Sequence, residues 1–124
     1  MIAGRPVIVQ RRELETARGD NYTLPALIDV PGSRYDEIDG EAEIWPGVTV
    51  LTTPGHVDGH QSLVVRRQDG TVIVLAGQGH DSATEFGADA LAVRAELDRH
   101  DGAPRPSRGW MERLLRLDPQ QVYF

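Results

Sequence analysis

Cysteine is missing from this sequence. No disulfide framework can form, and any metal would have to be held by imidazole, carboxylate or backbone oxygen. Such nitrogen and oxygen donors suit zinc, iron, manganese or cobalt alike. Lysine is missing too: all thirteen basic residues are arginine, which reads as codon usage in a GC-rich genome rather than as function. Nineteen acidic residues outnumber them, for a net charge of −6. That balance argues against nucleic acid or an anionic membrane as a partner. No apolar run is long enough to span a bilayer, and the first residues lack the apolar stretch of a signal peptide. A cytoplasmic protein is the expectation. Aromatic residues are few, at 6%, yet 40% of the 124 residues are apolar, enough for one domain with one core.

What is present is organised around Thr53-Pro54-Gly55-His56-Val57-Asp58-Gly59-His60-Gln61-Ser62. An apolar run over residues 48–53 leads in, and another over 62–66 leads out. Pro54, Gly55 and Gly59 favour sharp backbone angles and close approach. Two strands would thus deliver a tight loop carrying two imidazoles and a carboxylate. His56 and His60 are four apart, but the proline and glycines argue against the helix that would put them on one face. The spacing leaves two readings open, a metal-binding loop or a solvated surface turn.

Along the chain, residues 6–10 (PVIVQ) form a short apolar run, the pattern of a strand buried on both faces. Residues 11–18 read as a short helix stopped at Gly19. Residues 21–39 show no sustained period and are expected to be an ordered surface loop. Residues 41–45 make a weak strand before the Pro46-Gly47 turn. Val48, Val50 and Thr52 alternate with Thr49 and Leu51, giving strand periodicity into the central loop. Asp69-Gly70 between two β-branched runs signals a hairpin. Residues 77–82 (GQGHDS) close the second of those strands as a polar, flexible stretch. Residues 88–99 read as a helix with Leu91, Ala95 and Leu97 among its apolar positions, broken by Asp101-Gly102, Pro104 and Pro106. Ser107 caps a last helix, 108–117, whose Trp110, Met111, Leu114, Leu115 and Leu117 form a core face rather than a binding box. Asp118-Pro119 stops it, and residues 121–124 begin a strand.

The stretch GVTVLTTPGHVDGHQSLVV, followed by a hairpin and VLAGQ, resembles the middle of metallo-β-lactamase-fold hydrolases. PVIVQRRELETA, PALIDVPGSRYDEIDGEAEIWPGV and LDPQQVYF resemble the N-acyl-homoserine lactonase branch in order and spacing. The resemblance implies an α/β fold: a partial αββα sandwich, with a mixed sheet and flanking helices, in one partial domain over 1–124. It implies a hydrolase of lactones or related esters with two metals, usually zinc. Carried over residue by residue, His56 is the matched metal ligand, His60 supports the loop, and Gln78 stands at the bridging-Asp position. Asp81 falls where a lactonase has a substrate-assisting Tyr, and His80 or Asp81 could replace the missing bridge.

The HxHxDH motif and late His of that family have no counterpart here, so the chain is expected to be an interior fragment, inactive alone. Apolar strand surface is then expected to be exposed at residues 7–9 and 63–65, favouring a homodimer or other association through strand edges. Two other readings stay open. One is a thioester hydrolase of the glyoxalase II kind, and the other a non-catalytic interaction module retaining half the fold.

Overall fold

A computed structural model of the chain describes residues 5–99 and 109–124. Strand β1 (Val7–Gln10) runs straight into helix α1 (Arg11–Ala17), which ends where Gly19 N–H bonds Thr16 O. A 3-10 turn at Pro25–Leu27 precedes β2 (Tyr35–Ile38). Then come β3 (Ala42–Trp45), β4 (Val48–Thr52), β5 (Gln61–Arg66) and β6 (Val72–Leu75). A second 3-10 turn at Gly77–Gly79 leads to α2 (Ala83–Asp98), and α3 (Gly109–Arg116) leads to β7 (Gln121–Tyr123).

Two sheets result. β1 and β2 form a parallel pair, and a mixed sheet has the order β3-β4-β5-β6-β7. Turn chemistry explains the antiparallel run from β3 to β6. Gly47 sits at φ +77 between β3 and β4, and a Cβ there would stand 2.8 Å from Arg66 O. Asp69 Oδ1 accepts from both the amide (2.9 Å) and hydroxyl (2.6 Å) of Thr71, beside Gly70 at φ +84. The last strand lies parallel to β6, so the chain must cross over to reach it, and α2 and α3 make that crossover. Their apolar faces bury Ala90, Val93, Trp110, Met111 and Leu114 against Leu51, Val64, Val72 and Val74 of the sheet. The other face of the sheet carries Ile44, Val50, Leu63 and Leu75, which with Ile8 line a cavity of about 340 Å³.

The mixed sheet with flanking helices is the α/β arrangement expected from the sequence. Several local expectations need correction. β1 is not buried on both faces: Val7 is 54% exposed and only Gln10 is buried, because β1 has a single neighbour in a two-stranded sheet. That neighbour, β2, lies inside the stretch expected to be a loop. Its four residues include two exposed acids and only two half-buried apolar positions, too little periodicity to register. In β4, Val50 and Leu51 are consecutive and both buried, because both faces of the sheet are covered there. Exposure at 63–65 is partial, since Val64 is buried under the helices and its neighbours are half-buried.

Helix α2 begins five residues before the expected start. Ser82 caps it by accepting from Glu85 N–H at 3.2 Å, while Glu85 reaches back to Asp81 N–H at 2.9 Å, a relative of the capping box. The earlier start brings Phe86 onto the inner face with Ala90, Val93 and Leu97, and Leu91 and Ala95 are exposed. The expected cap at Ser107 and breakers at 101–106 lie outside the described residues.

Candidate functional site

The loop joining β4 to β5 is closed by its own backbone. Thr53 N–H bonds His60 O at 3.0 Å, and His60 N–H bonds Val57 O at 3.2 Å. It is not helical, so His56 and His60 do not share a helix face. Trp110 clamps the loop from α3, its indole N–H donating to Pro54 O at 3.0 Å. The core residue read from the sequence therefore also holds the loop.

His60 is fixed by a chain of hydrogen bonds. Its Nδ1 lies 3.0 Å from Thr53 O and 2.7 Å from Thr53 Oγ1. A carbonyl oxygen can only accept, so Nδ1 carries the proton and Nε2 presents its lone pair. Thr53 Oγ1 is 2.9 Å from Ser62 Oγ, and the Ser62 hydroxyl donates to Ala76 O at 3.1 Å. The Thr53 hydroxyl must then donate to Ser62, and the chain runs one way, from imidazole to β6. Burial pushes His60 below the ordinary histidine range and nearby His56 adds to this, while the Thr53 hydrogen bond and Glu13 oppose it.

Helix α1 forms the opposite wall. A Cβ on Gly59 would stand 2.3 Å from Glu13 Cβ, so only glycine lets the loop lie on that helix. Oε2 of Glu13 is buried without a hydrogen-bond partner. Tyr22, Gln61 and Gln78 complete a pocket of about 290 Å³ into which His56 and His60 also face. The structure thus brings His56, His60 and Gln78 together. Asp81 is exposed outside this pocket. His80, read as a polar loop residue, is only 4% exposed, a correction to the expected flexible stretch. Its Nε2 lies 2.8 Å from Asp89 Oδ2, and its ring meets Phe86 and Trp110 edge-on at 5.4 Å.

Zinc sites need three or four protein ligands. Among the described residues no group of three His, Cys, Asp or Glu side chains is placed to hold a metal. Glu13, His56 and His60 line one pocket but are not so placed, and the Gln78 amide is neutral, so the described residues do not by themselves make a zinc site. The sequence missed Glu13, Thr53 and Ser62. A hydroxyl at each root of a histidine-bearing loop was the available signal for the last two.

No family model matches the chain. An N-acyl homoserine lactonase of Bacillus sp is 41% identical over 70 residues, which are 56% of this chain and 28% of that protein. The Bacillus cereus lactonase is 40% identical over the same shares. Among solved structures, an N-acyl homoserine lactone hydrolase with N-hexanoyl-L-homoserine at its catalytic metal centre superposes with a TM-score of 0.68 and 27% identity. The match covers 98% of this chain and 47% of that one. A quorum-quenching N-acyl homoserine lactone lactonase gives the same score, over 98% and 49%. The chain therefore spans about half the length of these solved relatives. It is similar to N-acyl homoserine lactonases over part of their length and shares the mixed α/β fold of their solved structures.

Proposed function

We propose that this chain carries part of a lactonase-like hydrolase that opens N-acyl-homoserine lactones or related esters. The observation that supports this reading is the superposition of nearly the whole chain on lactonase structures. Within it, His56 is the proposed metal ligand and Gln78 occupies the position of a bridging carboxylate. His60 holds the loop through Thr53, and Asp81 stands where a group would assist the substrate. Gln78 can offer an amide oxygen but cannot offset cationic charge as a carboxylate does. With so few donors, residues 1–124 alone are proposed to be inactive. Zinc would be the group supplying Lewis-acid and water-activating chemistry to a complete site. A cytoplasmic location and association through strand edges belong to the same proposal. Among the described residues, no helix is long and apolar enough to cross a membrane.

The test is a chimera in which this chain replaces the corresponding segment of a Bacillus lactonase, assayed on N-hexanoyl-homoserine lactone and on a glutathione thioester. Lactone opening, strengthened by Gln78→Asp, is the expected result. Thioester hydrolysis without lactone opening would transfer the reading to the glyoxalase II kind. The isolated chain should bind no stoichiometric zinc and open no lactone, and success there would overturn its proposed inactivity.

A further inference from the structure

A second pocket, of about 480 Å³, lies where β1 and β2 begin. It shares no lining residue with the pocket around His56. The strands are parallel with Val7 opposite Tyr35, so the segments leading into them run side by side, and Arg5, two residues before β1, and Arg34, the residue before β2, both line the pocket. Val7 N–H donates to Arg34 O at 2.8 Å, which locks the two starts together. The loop before β2 is tied down twice. The Tyr35 hydroxyl donates to Ile28 O, and Arg18 holds Asp29 through two bonds of 2.9 and 2.8 Å. Gly32, at φ +87, turns the chain between those ties and β2. The result is a shaped recess rather than a loose loop, with walls from Val7, Leu27, Val30 and Tyr35.

Its charge runs against that of the molecule. The chain carries −6 overall, yet no Asp or Glu lines this recess and two arginines do. Among the described residues neither Arg5 nor Arg34 has a carboxylate within ion-pair distance, whereas Arg11, Arg18, Arg67, Arg113 and Arg116 each have one. A planar guanidinium fork matches a carboxylate, and two arginines among the lining of a largely apolar recess match a carboxylate that carries an aliphatic chain. Leu27, 64% exposed, would be covered by such a tail.

We propose that this recess binds an amphiphilic carboxylate, with its aliphatic chain against Val7, Leu27 and Val30 and its head group between Arg5 and Arg34. The site is independent of the hydrolase reading.

Decanoate below its micelle concentration is the probe, titrated into the full chain and followed by calorimetry and by amide shifts. Saturable one-to-one binding is expected, with shifts centred on Val7, Leu27 and Tyr35. The double variant Arg5→Gln with Arg34→Gln should weaken decanoate about tenfold or more, the scale of losing a charge-assisted hydrogen bond. It should leave decanol binding unchanged, and Leu27→Asp should abolish decanoate binding. The arginines are exposed, so these variants should keep the wild-type amide spectrum. Equal affinity for decanol and decanoate, loss-free binding in the double variant, or no saturation would each overturn the proposal.

Discussion

Gly59 lies directly on Glu13: a methyl group at the glycine would sit 2.3 Å from Glu13 Cβ and 2.6 Å from its backbone nitrogen. This contact sets how deeply the His56–His60 loop rests on α1. Gly59→Ala should destabilise the protein by about 1–3 kcal/mol, the usual cost of overpacking, read as a lower urea midpoint. Gly55→Ala in the same loop meets nothing within 4 Å and should change the midpoint little. Equal effects of the two would disprove the contact.

Thr53→Val keeps the shape of the side chain and removes the hydroxyl that links His60 to Ser62. Leaving buried polar partners unmatched costs about 1–3 kcal/mol. Nitrogen NMR should show the His60 ring keeping its Nδ1-protonated tautomer, because the Thr53 carbonyl that accepts from it is unchanged.

The His60 imidazole is held below the ordinary histidine value of 6.5, chiefly by burial. The unfolded chain therefore binds a proton more readily than the folded one in the window beneath 6.5. Stability from this group is full above that value and is lost as pH falls through the window. Unfolding curves across that range should slope accordingly, and His60→Asn should remove the slope. Glu13→Gln deletes a charge that favours the imidazolium, so the folded His60 should titrate still lower, as proton NMR can follow.

Leu114 is completely buried between α3 and the sheet, whereas Leu91 is 68% exposed on α2. Leu114→Ala should cost about 2–5 kcal/mol by leaving a cavity. Leu91→Ala should be within about 0.5 kcal/mol of neutral, as expected of a surface position. Denaturant melts of the pair would separate them directly.

These contrasts show where the sequence could be read. Strands β3 to β6 were legible because glycine and Asp-Gly turns punctuate them, and turn chemistry is local. Helix α1 was legible for the same reason, with Gly19 as its stop. β2 was not, since it exists only through pairing with β1, a partner its own four residues do not announce. The start of α2 was not legible at its true place, because the Ser82–Glu85 cap that sets it lies in a stretch of polar residues. At the candidate site, His56, His60 and Gln78 were legible by resemblance and share one pocket. Glu13 was hidden because its relation to the loop depends on a contact between segments far apart in sequence. His80 was misread because polar neighbours suggested a loop, while Phe86, Trp110 and Asp89 enclose it from distant elements.

The parallel placement of β7 against β6 has a consequence for the order in which the molecule assembles. Every side chain lining the His56 pocket has been synthesised once residue 78 is made. Yet β6, which leads directly to Gln78, gains its second neighbour only when Ala76 N–H bonds Tyr123 O and Gln120 N–H bonds Val72 O. Both helices must fold in between, and long-range pairing of this kind forms late. A nascent chain would thus hold a formed loop beside an open sheet edge until residues 120–123 arrive as the latch that closes it.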